Sequence, residues 1–125
     1  MTWKSMREPL KLGSLPTSND GKHTYPIKGL PENPEEILVY LWIGTGNDNS
    51  DSDRHFEVAS QLDRNTEVYV KLYAHAYTQA AWAYNSDNVW LPMPFDNEIT
   101  IELQGKPISG VVNSGIEIIG YKVKE

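Results

Sequence analysis

The stretch Glu67-Val68-Tyr69-Val70-Lys71-Leu72-Tyr73-Ala74-His75-Ala76-Tyr77 alternates without a break. Val68, Val70, Leu72, Ala74 and Ala76 fall on one side, and Tyr69, Lys71, Tyr73, His75 and Tyr77 on the other. Successive side chains of an extended chain point to opposite faces, so this pattern reads as a β-strand with one face on a core and one row of tyrosines outside. A second stretch, Glu36-Ile-Leu-Val-Tyr-Leu-Trp-Ile43, is apolar almost throughout. It has the length of a strand rather than of a helix, and its β-branched and aromatic content agrees. Ile37, Val39, Leu41 and Ile43 make one face, and Leu38, Tyr40 and Trp42 the other.

Working outward, Arg54–Ser60 and Glu98–Leu103 alternate in the same way, with Phe56, Val58, Ile99, Ile101 and Leu103 directed inward. His23–Ile27 reads as a short edge strand, because Pro26 lacks a ladder donor. Leu30–Pro34 is a rigid connector. Ala80–Tyr84 and Val89–Leu91 flank Asn85-Ser86-Asp87-Asn88, whose residue types favour a hairpin turn. Gln104–Ser114 reads as a loop with a short strand near Val111-Val112. Ile116–Val123 closes the chain, with Gly120 at a bulge. Residues 1–21, punctuated by Pro9, Gly13 and Pro16, read as an extended N-terminal arm with Trp3 and Met6 as anchors. Residues 22–125 form the domain. Seven or eight short strands with frequent turn signals, and no stretch of helical period, predict an all-β, antiparallel β-sandwich of jelly-roll type.

The bulk numbers agree with one such unit. A chain of 125 residues suits a single domain with its own core. The formal net charge is −6 and the eleven Lys and Arg are scattered, which argues against a nucleic-acid or anionic-membrane partner. There is no cysteine, so thiol chemistry and disulfides are excluded. Met1–Leu15 lacks the pattern of a signal peptide, and no apolar run reaches membrane-helix length. The expectation is a soluble chain, with its localisation open.

Little points to chemistry. No Gly-x-Ser-x-Gly elbow, phosphate-cradling loop or thiol is present, and the expectation is a protein that is not an enzyme. Asp48, Asp51 and Asp53, with Asn47 and Asn49, supply oxygens of the kind calcium takes. Their spacing departs from the EF-hand loop, and a solvated surface loop has the same composition, so no cofactor is expected and Ca²⁺ is the weak alternative. His23, His55 and His75 share no metal-ligand spacing.

Seven Tyr and four Trp against two Phe is the feature that carries a functional reading. Both residue types present a large apolar body with a polar tip. Trp82, Tyr84 and Trp90 surround Asn85, Asp87 and Asn88 in sequence. A sugar ring offers a C–H face to aromatic planes and a rim of hydroxyls to amides and carboxylates. These six residues are therefore the expected ligand site, for a glycan or another small polar ligand. The two-sided apolar strand adds a further expectation. Leu38, Tyr40 and Trp42 need a cover, from a loop, from the arm or from another subunit, which predicts a homo-oligomer, trimer before dimer. Two functions follow: a lectin-like binding or adhesion domain presented by an oligomer, or a structural module of fibre-head or shell type whose aromatic rows are subunit contacts.

Overall fold

The computed structural model describes residues 1–46, 54–74 and 83–124. They form eight strands: β1 Thr2–Gly13, β2 Lys22–Pro26, β3 Glu36–Gly46, β4 His55–Gln61, β5 Glu67–Tyr73, β6 Ala83–Pro92, β7 Glu98–Gln104 and β8 Val111–Val123. No helix occurs among the described residues. The strands make two four-stranded sheets, β1-β8-β3-β6 (sheet A) and β2-β7-β4-β5 (sheet B), and every pairing is antiparallel. β1 pairs with β8, β2 with β7, β3 with β6 and β4 with β5, so the chain is one long hairpin rolled over on itself. That winding is the jelly roll, two Greek keys sharing a sandwich.

The core lies between the sheets, as the alternation requires. Ile37, Val39, Leu41 and Ile43 of β3, Phe56 and Val58 of β4, Ile99, Ile101 and Leu103 of β7, and Ile116 and Ile118 of β8 are all buried. Val68 and Val70 of β5 point inward but are only partly buried, because β5 is an edge strand with solvent along one side.

Three expectations change at this level. First, the segment read as an arm is extended, but it belongs to the sheet. β1 adds to the free edge of β8, and Leu15 just beyond it is buried in the core. Pro9, which breaks the sequence pattern, falls in the register shift between Ser5 and Leu10, where no ladder donor is required. Second, Asn85–Asn88 is no turn. β6 runs unbroken from Ala83 to Pro92, each residue opposite one of β3 from Thr45 to Glu36. Its polar residues are tolerated because β6 is the outer strand of sheet A, where they meet water and discourage further strand pairing. Third, Val111–Ser114 is part of β8 and pairs with Ile43–Gly46. The bulge expected at Gly120 is there as a register shift, with Ile119 as the extra residue between Gly120 and Ile118.

β1 is also tied down through side chains. Lys4 Nζ lies 2.7 Å from Glu32 Oε2, and the Tyr121 hydroxyl donates to the same oxygen at 3.1 Å. The hydrogen bond from Lys4, more than that from Tyr121, holds the Glu32 carboxyl below its ordinary value of 4.5. A carboxylate with a depressed folded value stabilises the fold above its unfolded value, and that contribution disappears as pH falls through the folded value. Melting temperatures of the wild type and Glu32→Gln should therefore differ near neutral pH and converge as pH falls through the lowered folded value. The group is exposed and the difference should be small and sensitive to salt. A constant gap across the acid range would assign Glu32 a purely steric role.

Candidate ligand-binding face

Because Ile37, Val39, Leu41 and Ile43 take the core side of β3, Leu38, Tyr40 and Trp42 take the outer side of sheet A. Register then decides what lies beside them. Leu38 is flanked by Trp90 and Gly120, Tyr40 by Asn88 and Glu117, Trp42 by Ser86 and Gly115, and Gly44 by Tyr84 and Asn113. Trp3 joins the same face from β1 through its partner Lys122. All three described tryptophans, Trp3, Trp42 and Trp90, thus lie on one surface.

Two glycines shape that surface. A Cβ at Gly115 would clash with Cη2 and Cζ2 of the Trp42 six-membered ring, so the indole lies over β8 only because nothing projects there. A Cβ at Gly44 would come within 2.7 Å of Tyr84 Cε1, so the Tyr84 ring rests on bare backbone in the same way. An aromatic ring laid over a cross-strand glycine covers backbone that would otherwise face water. Tyr40 stacks on Trp42, with ring centroids 5.4 Å apart and planes inclined by 23°. Lys122 Nζ sits 4.3 Å from the centre of the Trp90 ring, a cation–π contact, and 4.0 Å from Glu36. The row that the sequence leaves in want of a cover is therefore largely covered by its own neighbours: Leu38, Tyr40 and Trp42 are half-buried. Tyr84 differs, at 75% exposed.

Between Tyr84 and the stacked pair is an open depression of about 360 Å³, lined by Tyr40, Trp42, Ile43, Tyr84, Asn85 and Ser86. Of the six residues expected to form a site, Tyr84, Asn88 and Trp90 share this outer face. They stand on one strand, however, not on the two arms of a hairpin, and Tyr84 and Trp90 are about 20 Å apart by strand rise. Asn85 and Asp87 belong to the opposite side of β6. Asn85 Nδ2 donates to the carbonyl of Tyr73 at 2.7 Å, joining the edges of the two sheets, while the residue still borders the depression. Trp82, with His75, Tyr77 and the candidate calcium ligands Asp48, Asp51 and Asp53, lies outside the described residues. Tyr40, Trp42, Ser86 and the two glycines were not foreseen as site residues. Their signal, an apolar outer row on β3, pointed to a subunit contact instead.

Among solved structures the chain is similar to the structure of Eiger TNF from S. frugiperda, with 95% of each chain covered at 9% identity and a TM-score of 0.46. No family model matches the chain, and no curated protein matches it.

The outer face of sheet B has another character. Tyr69 and Tyr73 point outward, 53% and 58% exposed, with Lys71 between them opposite Glu57. The His55 and Tyr73 rings are 5.6 Å apart, and His55 Nε2 lies 3.5 Å from Glu57 Oε1. Among the described residues no group of three or more His, Asp or Glu is placed to hold a metal ion.

Proposed function

We propose that this chain is a non-enzymatic binding domain that takes carbohydrate on the outer face of sheet A and is presented by a homo-oligomer. The observation that carries the reading is the exposed Tyr84 ring standing beside the stacked Tyr40 and Trp42, around a depression that also offers the Ser86 hydroxyl and the Asn85 amide. Rings held flat by packing supply a C–H-binding surface at little cost in side-chain entropy, and the adjacent hydroxyl and amide suit a sugar's rim.

The half-buried state of Leu38, Tyr40 and Trp42 weakens the case for burying that face in an oligomer. The Tyr69–Tyr73 row on sheet B, more exposed and flanked by Lys71 and Glu57, is the better subunit contact. The second reading, an assembly module without a ligand, draws on that same row.

A glycan array, followed by calorimetry and by sedimentation for the oligomer order, tests the reading. The wild type should bind, and Tyr84→Ala should weaken binding by about tenfold or more, the scale of an aromatic interface anchor. Its melting temperature should hardly move, since the ring is mostly in water. Gly44→Ala should also weaken binding, because the new Cβ would come within 2.7 Å of Tyr84 Cε1 and displace the ring. A stable oligomer that binds no glycan would favour the assembly reading.

A further inference from the structure

Trp42 has a second side. Beyond it, over β8 and β1, lies another open depression of about 280 Å³, bordered by Lys11, Ser14, Trp42, Gly115 and Ile116. Trp42 borders both depressions. The first sits over β6 and β3 and the second over β8 and β1, so their centres are about two strand spacings apart, roughly 10 Å. A single sugar ring cannot fill both.

Beside the path between them the charge is balanced. Glu117 is the register partner of Tyr40 on one side and of Lys11 on the other, so a carboxylate and an ammonium stand as cross-strand neighbours on this face. Opposite charges side by side leave no net field to select an ion, while offering hydroxyl groups both acceptors and donors. β3 and β8 are each paired on both sides, so a peptide cannot add here as a strand and recognition falls to side chains.

Building on the carbohydrate reading, we infer that the outer face of sheet A takes an uncharged oligosaccharide laid across the strands, with one ring beside Tyr84, one ring beside Ser14 and the chain passing over Trp42. The flat seat that Gly115 gives Trp42 is what opens this passage, because a raised indole would block it.

The test is calorimetric titration of the intact chain with glucose-, mannose- and N-acetylglucosamine-based oligomers of one to five rings, for the wild type and Ser14→Trp. The Ser14 side chain is exposed and its backbone carbonyl, which the substitution keeps, accepts from the Tyr25 hydroxyl, so the variant should fold. In the series that binds, affinity should rise about tenfold or more from one ring to three and then level off. It should be nearly unchanged between about 50 and 500 mM salt. Ser14→Trp should cut the trimer's affinity to that of the single ring and leave the single ring unaffected. Binding that depends on Tyr84 but gains nothing with length, or that ignores Ser14→Trp, overturns the extended site and leaves the carbohydrate reading standing. A preference for uronate or sulfated oligomers that weakens with salt overturns the uncharged ligand. No binding in any series removes the carbohydrate reading itself.

Discussion

Phe56→Ala is expected to lower the unfolding free energy by about 3–5 kcal/mol, the usual cost of emptying a core aromatic site. Phe56 is 0% exposed and sits in the middle layer of sheet B, with Leu72 of β5 and Leu103 of β7 as its register partners. Each partner is itself buried and held by its own ladder, so neither can move into the space the ring leaves. For a domain of this size the loss corresponds to a fall in melting temperature of roughly 10–20 °C. Chemical denaturation followed by intrinsic fluorescence measures it. Where the variant is still folded, at low temperature, any glycan affinity should match the wild type, because the proposed binding face belongs to the other sheet. A stability loss below about 1 kcal/mol would mean that Phe56 is not at the centre of the core.

Gly115→Ala should damage both stability and binding. The added methyl group falls on the Trp42 ring, which must shift to admit it. Trp42 is half-buried and is held on one side by its stack with Tyr40. Either the indole lifts or β8 moves away from it, and overpacking of this kind costs about 1–3 kcal/mol. Lifting the indole obstructs the passage between the two depressions, so affinity should drop by about tenfold or more. The contrast with Gly44→Ala is informative. Both glycines make room for a ring, but the Trp42 ring is half-buried and the Tyr84 ring is mostly exposed, so Gly115→Ala should cost more stability. If Gly115→Ala melts with the wild type and binds equally well, Trp42 does not lie flat on β8.

Which parts of this could be read from the chain follows from how local each signal is. The inward positions of Phe56, Val58, Ile99, Ile101 and Leu103 are legible because a period of two is a property of a few adjacent residues. The two apolar faces of Glu36–Ile43 are legible for the same reason. What Leu38, Tyr40 and Trp42 meet on the outside is not, because that depends on register with β6 and β8. Gly115 and Gly44 look like ordinary turn formers until cross-strand pairing sets them beside Trp42 and Tyr84. Asn85–Asn88 misleads because Asn, Asp and Ser favour turns, and nothing in the local sequence says that this segment is an outer strand, where such residues are tolerated. Pro9 and Gly13 mislead likewise. They interrupt a pattern, but at a sheet edge an interruption is a register shift rather than an end. Of the expected site, the aromatic character survives. The hairpin that was to gather it does not, and strand pairing gathers a different set around Tyr40 and Trp42.

In the proposed function, ligand sits on the outer face of sheet A with Trp42 at its middle. Nuclear magnetic resonance of the indole N–H groups tests it most directly, in a titration with the neutral trisaccharides of glucose, mannose and N-acetylglucosamine. Signals are assigned by single Trp→Phe variants. With the trisaccharide that binds, the Trp42 indole signal should shift progressively and saturate, while that of Trp3, at the far end of β1, should stay in place. A Trp42 signal that never moves with any of the three sugars, or shifts confined to the Tyr69–Tyr73 amides of sheet B, would place the ligand elsewhere or exclude it.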